Sequence, residues 1–396
     1  MSSTADVVIL GAGIVGAACA RECARRGLST LIVDEGIVGG GATAAGMGHI
    51  VVMDDSPMQL AITRYSRKLW IELAPELPSD IEFEQCGTLW VAAEEEEMSA
   101  VHKKRSLYAS VGVESEVLDS HALAEAEPQL RRPLSGALLV PSDAVLYPPC
   151  AASYLVRDAV RMGARLLSSR TVLSAANGRI RLSDGTEIHA ARIVNACGAE
   201  AAALLPELPI RKRKGHLVIT ERYPGFIRRQ LVELGYLRSA HSLTTDSVAF
   251  NVQPRRTGQI LIGSSREYGR AYGREYGAGD ATINRALLSA MVARAQKYLP
   301  GIGGLHAIRV WTGFRAATPD KLPLIGPWPK DETLYLATGH EGLGITTSLA
   351  TAKLIAAAIL GERPEIPADP YLPARYLEKY IAGRPQLVDA PEESHA

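Results

Sequence analysis

Residues 6–36 read DVVILGAGIVGAACARECARRGLSTLIVDEG. The opening run Val7–Leu10 is short, apolar and β-branched, the composition of a strand buried on both faces of a parallel sheet. Gly11-Ala12-Gly13-Ile14-Val15-Gly16 follows at once, then a small-residue helical segment, then a second apolar run, Leu31–Val33, which ends on Asp34 and Glu35. Strand, glycine-rich turn, helix, strand and terminal acid make a βαβ unit of the kind that holds a dinucleotide. Gly11 permits the tight turn, Gly13 lets backbone approach a pyrophosphate, and Gly16 lets helix and strand pack closely, while the unpaired N–H groups at the helix start attract the phosphates. Asp34, eighteen residues beyond Gly16, is placed to accept hydrogen bonds from ribose hydroxyls, which disfavours a 2′-phosphate. A dinucleotide is predicted; which one stays open at this point.

At 396 residues the chain exceeds a single hydrophobic core and predicts about two domains. Its 43 basic and 43 acidic side chains create no net field suited to nucleic acid or an anionic membrane. The N-terminus has no basic region followed by an apolar signal core, and no apolar run reaches membrane-spanning length, so a cytoplasmic location is expected. The five cysteines are scattered and odd in number, as expected of reduced thiols. Cys19 and Cys23 lie one helical turn apart, but no second Cys or His pair accompanies them. Core packing is expected there, and no metal site.

Residues 39–50, GGGATAAGMGHI, are too rich in glycine and alanine for an ordinary helix and suit backbone passing close to a flat ligand. From here the chain resembles the FAD-dependent D-amino acid oxidase family, which includes glycine and sarcosine oxidases. The resemblance implies that Gly41, Ala42, Thr43, Met47 and Gly48 run along the pyrophosphate and flavin edge, with Thr43 and Ala44 where the family carries a Ser or Thr. His49 reads either as a hydrogen-bonded structural histidine or as a group beside the flavin ring that tunes or covalently carries it. A second match, RVWTGFRAATPDKLPLIG at residues 309–326, resembles the family's Gly-x-Arg, Asp, Pro-x-Ile-Gly segment. It implies that Asp320, Pro323 and Gly326 belong to the segment passing beside the flavin, that Gly313 and Arg315 contact the cofactor, and that Arg315 holds the substrate carboxylate, a task suited to a planar guanidinium. The family's second dinucleotide strand is matched by Ile193–Gly198, with Val172, Ala196 and Gly198 implied in cofactor binding. Near the C-terminus, Gly339, His340, Glu341, Gly342, Leu343, Gly344 and Ile345 open a helix whose N–H groups should face the flavin's pyrimidine edge.

Two departures from glycine oxidase stand out. Gly342 occupies the place of a second substrate-side arginine, and the carboxylate-binding tyrosine has no clear counterpart, the nearest residues being Phe250 and Asn251. Both put simple glycine or D-alanine substrates in doubt.

Between the matched pieces, residues 51–75 predict a helix with Trp70 on its apolar face, 84–91 a strand, 94–97 an acidic helix start, and 177–192 a hairpin turning at Ser183-Asp184-Gly185. An alanine-rich helix is expected after Gly198. The basic run Arg211–His216 reads as a solvated sheet edge or a partner-binding surface. REYGRAYGREYG, with Tyr268, Tyr272 and Tyr276, reads as a mobile substrate cover or an ordinary surface loop, and the tail from Arg384 as disordered.

The expected fold is α/β (α+β): a Rossmann-like FAD-binding domain assembled from residues 1–80, 146–205 and 310–365, an antiparallel-sheet substrate domain from 81–145 and 206–309, and a C-terminal extension, 366–396. Within the family the chain looks most like catalytic subunits of multi-subunit dehydrogenases such as D-hydroxyproline dehydrogenase, cyanide synthase and opine oxidase. That implies FAD-dependent oxidation of a small amino or imino acid to the imine, Arg315, His49 and His340 serving the reacting end, with electrons passed to iron–sulfur or flavin-bearing partner subunits. An autonomous peroxide-forming oxidase, a flavin relay without its own substrate, and an NAD enzyme are the alternatives.

Overall fold

The structure is a computed structural model that describes residues 3–235, 246–267 and 280–377. The tyrosine–glycine run at 268–276 and the tail beyond 377 lie outside the described residues.

The apolar runs assemble into a sheet in which Leu324–Trp328, Asp331–Thr338, Glu187–Asn195, Ser3–Leu10, Thr30–Val33 and Arg165–Leu167 lie side by side. All neighbours in this path are parallel except the first pair, and the predicted hairpin, Arg179–Leu182 with Glu187–Asn195, extends it. Leu10 is level with both Val33 and Asn195, and Asn195 with Leu336, so the carboxyl ends of four strands open on one edge. In such sheets ligands bind beyond those ends. The helices Ile14–Arg25, Pro57–Leu73, Pro148–Arg161 and Gly344–Leu360 bury one face, with Cys19 and Cys23 fully enclosed among Ile14, Ala18, Leu155 and Ile355.

A second sheet runs Ala307–Ala317, Arg211–Thr220, Ile260–Arg266, Ser247–Pro254, Gln230–Glu233, Thr88–Ala92, Gly136–Val140 and Glu116–Asp119. It is antiparallel apart from the parallel pair Gln230–Glu233 and Thr88–Ala92. The helix Arg285–Tyr298 covers one face, burying Met291, Ala295 and Tyr298 against Leu89, Leu231, Phe250 and Ile262.

Several local expectations shift. The helix read over 51–75 begins only at Pro57, because Ser56 caps it with a 3.1 Å bond from the Gln59 N–H and proline fits the first helical position. The 84–91 strand is shortened to Thr88–Ala92. After Gly198 there is only a 3-10 turn and the single turn Ala201–Leu204. The basic run is not an edge: Arg211–Thr220 lies between Ala307–Ala317 and Ile260–Arg266, and Arg213, Lys214 and His216 are buried. Tertiary ion pairs override the default that a charge run is solvated. No helix among the described residues is long and apolar enough to cross a membrane.

Candidate functional site

The glycine-rich turn is locked by contacts that tolerate no side chain. A Cβ on Gly16 would lie 2.0 Å from the Gly11 carbonyl oxygen, and one on Gly11, which has φ +100°, would lie 2.7 Å from that of Ala196. Ala196 in turn donates its N–H to Leu10 at 2.9 Å, and the Gly198 carbonyl accepts from Thr338 Oγ1 at 2.8 Å. The Asp34 carboxylate accepts from the N–H groups of Ala12 (2.5 Å) and Gly36 (2.7 Å), leaving lone pairs for a further donor. Glu35 is exposed beyond it. Val172 starts a strand two residues past Arg170, whose N–H binds the Asp34 carbonyl at 3.0 Å.

Residues 41–49 bridge the two sheets. Gly41–Ala44 form one helical turn, with Gly41 and Ala42 exposed and Thr43 buried, its hydroxyl accepting from the Ile14 N–H at 2.9 Å. The segment then lies flat on the second sheet, which it can do because the facing residues are glycines. A Cβ on Gly313 would sit 2.2 Å from that of Ala45, and one on Gly263 2.8 Å from the Met47 sulfur. Gln253 Nε2 donates to the Met47 carbonyl at 2.9 Å, and Thr346 Oγ1 to the His49 carbonyl at 2.7 Å. Gly48, at φ +112°, turns the chain against Leu146.

The Thr346 bond joins His49 to the first turn of the helix that the loop 339–344 opens. Gly339 (φ +78°) and Glu341 (φ 49°) turn the chain, the Glu341 N–H bonds the Ala316 carbonyl at 2.9 Å, and the helix then starts at Gly344, with the Ile345 carbonyl accepting from Trp70 Nε1 at 3.2 Å. A cavity of about 70 Å³ opens where these pieces meet, its wall including His49, Trp90, Gln230, Asn251, Arg266, Lys321, His340, Glu341, Gly342 and Leu343. The dinucleotide turn, Asp34 and Val172 are not part of that wall.

Charge is concentrated there. Glu341 pairs with Arg213 and, at 3.5 Å, with Arg266. Burial alone would raise the Glu341 carboxyl, but Arg266, Arg213 and Arg315 together hold it below its ordinary range. Burial, then Arg213 and Arg266, lower the Lys321 ammonium against the pull of Asp55 and Glu341. Arg315 lies opposite Arg213 in register, donates to the Ser265 carbonyl at 3.0 Å, and packs its guanidinium over Gly215, where a Cβ would lie 2.3 Å away. It stands behind Gly342 rather than in the wall, with Nε 3.8 Å from where a Cβ on Gly342 would be.

The histidines are neutral near pH 7. Burial lowers His49 to about 4 and His340 to about 3. His340 Nε2 contacts Thr351 Oγ1 at 2.9 Å, and Thr351 passes its own proton to the Thr347 carbonyl, so His340 donates. His49 Nε2 is buried without a hydrogen-bond partner among the described residues.

Sequence reasoning missed Arg266, Lys321, Gln230 and the inward half of the basic run. For Arg266 and Gln230 the signal is a polar residue at the end of a largely apolar strand, ILIGSSR and QLVE, whereas Lys321 lies in the turn between two strands and carries no such signal. Strand alternation also settles the Phe250–Asn251 pair: Phe250 stacks on Tyr298 in the core, centroids 4.4 Å apart, and Asn251 faces the cavity. Also missed were Arg67 with Asp143 (2.6 Å) and Lys104 with Asp54, ion pairs that anchor the chain just after His49.

The residues present fit a dinucleotide cofactor: the side-chain-free turn, Asp34 with acceptor capacity left, and a partnerless His49 nitrogen at the far end of the bridging segment. Comparison with known proteins agrees. The model of the FAD dependent oxidoreductase (DAO) family matches residues 6–358. The chain is similar to hydrogen cyanide synthase subunit HcnC of Pseudomonas aeruginosa, 27% identical over 95% of this chain and 97% of that one. It is also similar to glycine oxidase of Geobacillus kaustophilus, 29% identical over 96% and 99%. The solved structure of L-proline dehydrogenase from P. horikoshii shares the fold, with a TM-score of 0.84 at 23% identity, covering 96% of this chain and 99% of that one.

Proposed function

Because this chain belongs to the family of FAD-dependent oxidoreductases, we propose that it oxidises a small amino or imino acid, proline- or hydroxyproline-sized, to the imine, as the catalytic subunit of a dehydrogenase complex. FAD, when bound, supplies the acceptor for the hydride leaving the substrate carbon. In this reading residues 1–80, 146–205 and 310–365 hold FAD, through Gly11–Gly16, Asp34, Thr43–His49, Ala196, Gly198 and the 339–345 loop, and 81–145 with 206–309 shape the substrate pocket.

The observation that carries the reading is the charged cavity beside His49 and the 339–344 loop, where Arg266 and Lys321 face Glu341 and Asp55 across one wall. At roughly 10–15 Å³ per water it has room for about five waters, the scale of a small acid rather than a peptide. Arg266 in the wall supplies donors for a carboxylate, Arg315 is proposed to reach it from behind the side-chain-free Gly342, and Glu341 with Asp55 offsets the cations. His49 and His340, kept neutral by burial, add no charge beside the reacting carbon. Positioning suffices once the substrate amine is neutral, so no acid–base pair is needed.

Companion subunits bearing iron–sulfur or flavin centres are proposed as electron acceptors, supported by the similarity to a protein named as a synthase subunit. The similarity to glycine oxidase favours a second reading, an autonomous peroxide-forming oxidase. Purified chain should be yellow and bleach anaerobically with the right amino or imino acid. Activity with an artificial dye but no peroxide identifies the dehydrogenase; peroxide release identifies the oxidase. Arg315→Ala should raise KM about 10- to 100-fold, the size of a lost charge-assisted bond, with FAD content retained. A colourless protein that cannot be reconstituted with FAD ends the proposal.

A further inference from the structure

Two side chains in the cavity wall have hydrogen-bonding capacity that no contact among the described residues uses. Gln230 is 2% and Asn251 4% exposed, and both face the cavity. Among the described residues neither Gln230 Oε1 nor Asn251 Oδ1 accepts a hydrogen bond. They are neighbours by construction: Val232 pairs with Asn251 and Leu231 with Val252. Gln230 and Asn251 are therefore diagonal on one face of the sheet, within side-chain reach of each other.

Other buried amides in this chain have structural work. Gln253, on the same face, donates to the Met47 carbonyl at 2.9 Å although its Oε1 also accepts no bond among the described residues, and Asn195 donates to Ala201 at 3.2 Å and accepts from the Cys197 N–H at 3.2 Å. A buried acceptor left unmade costs about 1–3 kcal/mol, and the residues next to Gln230 and Asn251 along the two strands, Leu231, Val232, Phe250 and Val252, are apolar and buried. Leucine would fill the same space without that cost.

We propose that Gln230 and Asn251 form a subsite for a hydroxyl group on the substrate's side chain, so that hydroxylated amino or imino acids are preferred over their unsubstituted parents. This rests on the reading of the cavity as an amino-acid site. The choice of hydroxyl follows from the chemistry of two adjacent amides. Each presents either oxygen or NH2 by rotating its terminal group. A hydroxyl both donates and accepts, so it satisfies one amide oxygen and one amide NH2 together. An ammonium has nothing to accept with, an alkyl side chain leaves both amides unmade, and a carboxylate only accepts and is drawn instead to Arg266 and Lys321 on the same wall. Sites built to hydrogen-bond a substrate hydroxyl reject the analogue lacking it far more strongly than apolar pockets reject a size change.

The test is anaerobic stopped-flow reduction of the FAD-loaded full-length chain by matched pairs: proline with 4-hydroxyproline, alanine with serine, and 2-aminobutyrate with homoserine, in each stereoisomer, plus aspartate. The rate of flavin bleaching divided by the apparent Kd should favour the hydroxylated member of the best pair at least about tenfold, equivalent to about 1.4 kcal/mol. In Gln230→Leu and Asn251→Leu that ratio should fall to about one, with FAD content as the check on folding. The isosteric Asn251→Asp serves if the leucine variant does not fold; it removes the NH2 group and should also lower the ratio. Equal or better reduction by the parents, a ratio the variants leave intact, or aspartate as the best substrate would overturn the subsite while leaving amino-acid oxidation standing. If no compound bleaches a properly FAD-loaded chain, the amino-acid reading falls and the subsite falls with it.

Discussion

Replacing Gly313 with alanine adds one methyl group and probes the junction on which the site depends. Gly313 has no unusual backbone angle, so alanine brings no torsional strain, and as a strand residue it loses nothing in propensity. The cost is purely steric. The new Cβ would lie 2.2 Å from that of Ala45, where ordinary carbon contacts are about 3.5–4.0 Å. Relief requires the Ala45–Met47 backbone to lift from the sheet by more than an ångström, since the other partner is the middle of an eleven-residue strand paired along Arg211–Thr220. Overpacking of this size costs about 1–3 kcal/mol, and at roughly 2–4 °C per kcal/mol the melting temperature should fall by several degrees. Function should suffer more. Lifting the segment strains the Gln253–Met47 bond and moves His49, and misplacement by an ångström costs on the order of a hundredfold in rate. The assay is FAD-to-protein absorbance ratio, melting temperature and anaerobic bleaching rate, with Gly304→Ala as control because a Cβ there meets nothing within 4 Å. Gly313→Ala with wild-type flavin content, melting temperature and bleaching rate would refute the reasoning.

Two further outcomes follow from the geometry. Asp34→Ala removes the acceptor for the Ala12 and Gly36 N–H groups and for a ribose, so FAD affinity in a reconstitution titration should drop about 10- to 100-fold; a Kd unchanged from wild type would remove Asp34 from the site. Burial holds His49 and His216 at about 4 and His340 at about 3, whereas unfolded imidazoles titrate near 6.5. Between pH 6.5 and about 4 the unfolded chain therefore binds protons that the folded one refuses, and melting temperature should fall with pH. Glu127, raised by burial to about 7, works in the opposite direction from pH 7 down to its ordinary 4.5. His340→Gln, which keeps a donor towards Thr351, should flatten the acid-side fall; a variant curve that parallels wild type would contradict the assignment.

What the amino-acid sequence determined by itself was the first sheet and the cofactor. The glycine turn, the acid at Asp34 and the small-residue run at 39–48 are written in consecutive residues because their physics is local: tight turns, close backbone approach and helix starts depend on neighbours within a few positions. The pocket was hidden because its residues come from segments far apart in the chain. Glu341, Arg213 and Arg266 meet through strand pairing, and a basic run that reads as solvated becomes buried once Glu341 lies against it. Phe250 and Asn251 are adjacent in sequence, yet the pleat sends one to the core and the other to the cavity. Which polar side chains face a ligand depends on register and face, and those are set only when the second sheet closes over the bridge from Thr43 to His49.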